Sequence, residues 1–189
     1  MLHGARRIRA ITTSASGGRP GSRAASSGSC SFQALCAFLL AIAILGAARN
    51  PARLIGPFDV TAVIVLLIAI GGEAMADRQL RRFKADPVNR ARICDVGLWA
   101  WSRHPNYFFE WLGWVAYPLF AMDLGGYPWG WAPFLGPAFM YVLLVYGSGI
   151  PSLEAHMLRT RGAAFRDYQS RTNAFFPGPP GLRQMESGR

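Results

Sequence analysis

Charge is scarce in this sequence. Charged residues make up 16% of 189, against about 25% in an average soluble domain. No charged side chain occurs between Arg23 and Arg49, and none between Asp123 and Glu154. Histidine is limited to His3, His104 and His156, too few for a histidine-rich iron site of the desaturase kind. Cysteine is limited to Cys30, Cys36 and Cys94. Their spacing forms neither a zinc pattern nor a disulfide framework, so they read as structural residues. No GxGxxG follows a strand, and Gly147-Ser148-Gly149 opens no dinucleotide fold. No Walker loop, HExxH or GxSxG is present. Their absence removes P-loop nucleotidases, zincins and serine hydrolases of the nucleophile-elbow type.

What remains is apolar and basic. Hydrophobic residues make up 51%, and the formal net charge is +10. A basic balance raises nucleic acid first, but so low a charge density argues against it. The apolar content also excludes disorder for most of the chain. The uncharged runs instead read as membrane spans of roughly 20 residues. Four are expected: about Phe32 to Ala48, Phe58 to Ala76, Asn106 to Met122, and Trp131 to Gly149. With alternating helices, 18 of the 20 basic residues fall on one side. The positive-inside rule then places both termini and the loop from Asp77 to His104 in the cytoplasm. Trp129 and Trp131, beside the uncharged turn from Asp123 to Gly130, suit the opposite interface.

The expected fold is therefore all-α: a multi-pass transmembrane helical bundle of about four spans. A cytoplasmic interfacial amphipathic helix, Arg159 to Arg171, with Phe165 and Tyr168 on its apolar side, completes it. Its arginines suit anionic lipid headgroups or cofactor phosphates. Residues 1–30, rich in Ser, Gly, Ala and Arg, read as a disordered tail. Residues 31–177 form the membrane domain, and 178–189 a flexible tail.

Ionisable groups in or beside a membrane are costly, so each is a functional candidate. Glu73, Asp77 and Arg81 are spaced four apart and share one helical face. Pro105 suits the first position of a helix. The end it opens offers free N–H groups and a partial positive charge. Arg103 and His104 precede it, while Asn106, Tyr107 and Glu110 lie in or just past its first turn. Together they offer an anion clamp, an amide, a ring for stacking and a carboxylate. An interfacial belt of aromatic and basic residues is the plainer reading. Glu154 lies at the membrane edge, close in topology to this cluster. No metal site is assigned.

Gly97-Leu98-Trp99, Ser102-Arg103-His104-Pro105-Asn106-Tyr107 and Glu110 resemble the bacterial DUF1295 membrane family. That family is similar to the C-terminal domain of steroid 5-alpha-reductases. Gly72 to Leu80 with Phe83-Lys84 resembles its preceding block. Ser148 to Pro151, Leu153-Glu154, Tyr168 and Phe176-Pro177 resemble its closing one. The resemblance implies an NADPH pocket open to the cytoplasm, with Asp77, Lys84, Arg92, Arg103, His104, Asn106, Tyr107, Glu110 and Glu154 around the cofactor. The implied reaction is hydride transfer from NADPH to a conjugated C=C bond in an apolar, lipid- or steroid-like substrate drawn from the bilayer. Phe109 stands where the family usually has Gly, so its ring either narrows the cofactor entrance or faces lipid. The family's further N-terminal spans, which carry the acid–tyrosine pair of the steroid reductases, have no counterpart in this sequence. The expectation is thus a cofactor-binding half with no assigned catalytic residue. Two other classes stay open. Isoprenylcysteine carboxyl methyltransferases also show an Arg-His-Pro-x-Tyr stretch and a late Glu, but bind S-adenosylmethionine. A non-catalytic membrane bundle subunit is the third. Oligomeric state is left open.

Overall fold

The computed structural model describes residues 20–51, 55–122 and 127–179, with side chains from residue 33 onward. The tails at 1–19 and 180–189, and residues 123–126 of the uncharged turn, lie outside the described residues. Among the described residues the fold is all-helical. The chain divides into two units, Met1–Cys36 and Ala37–Arg189. The first contributes the opening turns of helix α1 (Pro20–Ala48), which starts ahead of the boundary expected at residue 30. Everything below concerns the second.

Helix α2 (Pro57–Ala85) starts as its sequence dictates. Pro57 occupies the first position, where its missing N–H costs nothing. The Asp59 carboxylate accepts the Gly56 N–H at 2.8 Å and adds negative charge at the positive end. Short helix α3 (Leu98–Trp101) leads to α4 (Pro105–Ala121), which begins at Pro105 as the sequence predicts. Helix α5 (Leu135–Val145) follows a 3-10 turn at Ala132–Phe134, and α6 (Ile150–Arg171) closes the bundle.

Helices α2 and α4 form the central pair. The residues α2 buries are small: Ala62, Ala69, Gly72 and Ala76. Its large apolar residues, among them Val60, Ile64, Leu67 and Ile70, are exposed. A helix in water shows the opposite pattern, because burial of large side chains is what drives it to pack. Small residues inside and large ones outside is the pattern of helices surrounded by lipid, where close backbone approach drives association. The end of α1 follows the same rule. Ala43 is fully buried, and a Cβ added at Gly136 or Gly46 would stand 2.8 Å from Ala43 or 2.9 Å from Pro133.

Phe109 of α4 is half-buried. Its ring lies on Gly72 of α2, where an added Cβ would collide with it. Two stretches are long and apolar enough to cross a membrane, Pro57–Ala85 and Ala132–Arg171; Gln33–Ala48 is a shorter apolar helix.

The stretch Arg159–Arg171 differs from the single amphipathic helix expected on lipid. Gly162 takes φ 51° and ψ −119°, outside any helical region, and breaks α6 in two. Glycine alone adopts that backbone without strain. The apolar face beyond the break is covered by protein: Phe165 and Tyr168 are buried, and the Tyr168 hydroxyl donates to the Trp99 carbonyl.

Candidate functional site

The break at Gly162 has a large geometric effect. Glu154 and Gln169 are 15 residues apart, yet Gln169 Nε2 donates to Glu154 Oε2 at 2.7 Å. A straight helix would separate them by about 22 Å. The chain therefore doubles back, and the second half of α6 returns alongside the first.

That return builds a polar network at the start of α4. Arg103 grips Glu154 with two donors, Nε to Oε1 at 2.8 Å and Nη2 to Oε2 at 3.3 Å. Its remaining nitrogen, Nη1, donates to the Gln169 carbonyl at 3.2 Å and to the Thr172 carbonyl. His104 Nε2 lies 3.0 Å from Glu154 Oε1. A carboxylate only accepts, so Nε2 carries the hydrogen in this contact. Ser102, wholly buried, donates from Oγ to the Phe175 carbonyl at 2.9 Å and accepts the His104 N–H at 3.1 Å. The Arg103 N–H donates to the Asn173 carbonyl at 2.8 Å. The side chains of Arg103 and Glu154 are 11% and 12% exposed, so solvent screens the pair weakly. Burial alone would raise the Glu154 carboxyl. The hydrogen bonds from His104, Arg103 and Gln169, with the Arg103 charge, outweigh it and hold the pKa at about 2.

A second layer secures the approach. Gly97, at φ 60°, lets the chain turn into α3 against the Gln79 side chain, whose Oε1 accepts the Leu98 N–H at 2.9 Å. The Trp99 indole N–H donates to the Ala76 carbonyl at 3.0 Å. Burial pushes the Tyr168 phenol well above its ordinary pKa, so it stays a neutral donor. Burial also raises the Cys94 thiol, which is free and buried, as expected of an inert cysteine.

The sequence-predicted residues thus fall into three groups. Arg103, His104 and Glu154 meet, and their polar groups are engaged with one another and with α6. Asn106, Tyr107 and Glu110 sit half-buried beside them on α4. The Tyr107 ring stacks on His104 at 5.6 Å. Glu73 of α2 is likewise half-buried. Asn106, Tyr107 and Glu110 have no hydrogen bond or ion pair among the described residues. Lys84 and Arg92 are exposed, and Asp77 makes a loose 3.8 Å ion pair with Arg81.

Sequence reasoning missed Ser102, Gln169 and Thr172 as members of the network. The signal available was Gly162, an interruption between two polar helical segments. Arg171, read as a lipid- or phosphate-facing cation, is bound to Asp95 at 2.8 Å and Asp167 at 3.3 Å. An apolar groove of about 400 Å³, lined by Ile55, Asp59, Val60, Val63, Ile64 and Phe120, lies at the opposite end of the α2–α4 pair and does not meet this cluster.

Fold and cluster together define an all-helical protein of membrane-like surface, with a polar network at one end of its central helix pair. A family model described as "Protein of unknown function (DUF1295)" matches residues 25–172, and the chain belongs to that family. No curated protein and no solved structure matches the chain.

Proposed function

We propose that the protein is a multi-pass membrane reductase using NADPH to reduce a conjugated C=C bond in an apolar substrate. Four spans carry it: the apolar part of α1, α2 to about Ala76, α4, and the segment from Trp131 to Gly149. Both termini and the 77–104 loop are cytoplasmic. The apolar exterior of α2 and the one-sided distribution of arginine support this topology.

The observation that carries the functional reading is the unspent polar face of α4. Asn106, Tyr107 and Glu110 are half-buried on α4, have no side-chain hydrogen bond or ion pair among the described residues, and keep their polar atoms accessible to a ligand. A structural role would satisfy them, as it satisfies Arg103, His104 and Glu154 next door. A ligand with amide and hydroxyl groups supplies the missing partners.

The donor set fits NADPH. Lys84 and Arg92 are exposed cations suited to phosphate. Asn106 and Glu110 suit a carboxamide or ribose hydroxyls, and Tyr107 presents a ring for stacking. Arg103, His104 and Glu154 hold the start of α4 in place rather than serving as ligands. The bound cofactor supplies the hydride. The surrounding protein positions the acceptor carbon and excludes water.

The half-buried acids Glu73 and Glu110 favour a second reading. Carboxylates suit a cationic ligand, and the sulfonium of S-adenosylmethionine is one, as in a membrane methyltransferase. Calorimetric titration of the detergent-purified protein with both ligands decides between them. NADPH binding weakened about tenfold by Asn106→Ala or Arg92→Ala supports the reductase. Binding of S-adenosylmethionine alone overturns it. Silence with both ligands points to a non-catalytic bundle subunit.

A further inference from the structure

The exterior of α2 carries a stripe that the proposed reaction does not use. Leu67, Gly71 and Met75 follow one another at helical spacing, and all are exposed. A Cβ added at Gly71 would meet nothing within 4 Å, so the stripe has a shallow notch at its centre. The same face continues, at the same spacing, into Arg78 and Arg82, both exposed. Neither arginine has an ion pair or hydrogen bond among the described residues. Their neighbour Arg81 reaches toward Asp77 at 3.8 Å. The rise from Leu67 to Arg78 is about 16 Å, close to half of a ~30 Å hydrocarbon core.

We propose that the face of α2 from Leu67 to Arg82 is a docking site for one phospholipid with an anionic headgroup. Its acyl chain lies along Leu67, Gly71 and Met75, and its phosphate meets Arg78 and Arg82. The shared helical face sets both contacts at the separation a single lipid in one leaflet requires. Charge complementarity selects the anionic headgroup, since Arg78 and Arg82 have no ion pair among the described residues, and Asp86, the acid next along this face, accepts the Val88 N–H instead. The proposal rests on the membrane reading above and not on the choice of NADPH or S-adenosylmethionine. Arg78 and Arg82 are outside the cofactor set.

Native mass spectrometry of the full chain, released from detergent with equal amounts of phosphatidylglycerol and phosphatidylcholine, tests it. The expected result is preferential retention of phosphatidylglycerol, about fivefold for each arginine. That preference is lost in Arg78→Gln/Arg82→Gln. Gly71→Leu, which fills the notch and keeps both charges, weakens retention of the lipid. Equal retention of the two lipids overturns the proposal, as does an unchanged preference in the double variant. Displacement of the lipid by excess inorganic phosphate also overturns it, because the site would then be one for free anions. Alkaline carbonate washing of the membranes reports on the membrane reading separately: release of the protein would sink that reading.

Discussion

Arg103 and Arg92 lie 11 residues apart in one segment and play opposite parts. Arg103 is enclosed, its guanidinium divided among Glu154 and the carbonyls of Gln169 and Thr172. Arg92 is exposed, with no side-chain hydrogen bond or ion pair among the described residues. The same contrast separates the Arg103–His104–Glu154 network from its neighbours Asn106, Tyr107 and Glu110, whose side-chain polar atoms have no hydrogen-bond partner among the described residues. A cation or carboxylate that is already fully satisfied contributes architecture, and one left open beside it is available to a ligand.

The comparison is broken most directly at the network. Glu154→Ala leaves Arg103 and His104 without their acceptor, and removing one partner of such a pair costs about 3 kcal/mol. Thermal unfolding in detergent should show the lowest midpoint of the variants described here. Gly72→Ala comes next. The new methyl meets the Phe109 ring, and overpacking of this kind costs about 2 kcal/mol. In a Phe109→Ala background Gly72→Ala should cost much less, because the ring it meets is gone; strictly additive effects would show that the two positions do not touch.

Acid acts on the network reversibly. Glu154 titrates at about 2 in the folded protein, against its ordinary 4.5. A depressed carboxyl contributes stability that is fully present above about pH 4.5 and lost as pH falls toward 2. The gap in unfolding midpoint between the native chain and Glu154→Gln should therefore narrow as pH is lowered through that window. A gap independent of pH would mean that Glu154 is not held as a carboxylate. A smaller loss, about 1 kcal/mol, is expected for Tyr168→Phe, which removes the hydroxyl bonded to the Trp99 carbonyl. Lys84→Ala and Arg92→Ala should change stability by no more than about 0.5 kcal/mol. If either unfolds the protein instead, the division between enclosed and open cations fails.

Much of this was legible in the sequence. Pro105 marks a helix start because proline at the first position loses no hydrogen bond. The uncharged runs mark apolar helices because nothing else tolerates so few charges. The segment 102–110 was singled out because its residue types are costly beside a membrane. The pairing of Arg103 with Glu154 was not legible, since 51 residues separate them. Local pattern carries no record of so distant a partner. Gln169 and Thr172 were hidden for the same reason. The period-3.6 pattern runs through Gly162, and the glycine marks a place where the helix can break but not the direction in which the chain then returns. Phe109 could be seen as unusual, but its seat on Gly72 depends on the register between two helices, which neither helix specifies alone.

The reversal at Gly162 also orders events in time. Helices α2 and α4 can pair as soon as residue 121 is available, because all their mutual contacts lie upstream. The polar network draws on Gln169, Thr172, Asn173 and Phe175, so it cannot close until that final stretch has been synthesised. Contacts of such long sequence separation form late and slowly. A nascent chain therefore holds its helix pair well before the start of α4 is fixed in place. Chains ending before residue 169 should keep α2 and α4 together and never assemble the network that positions the candidate site.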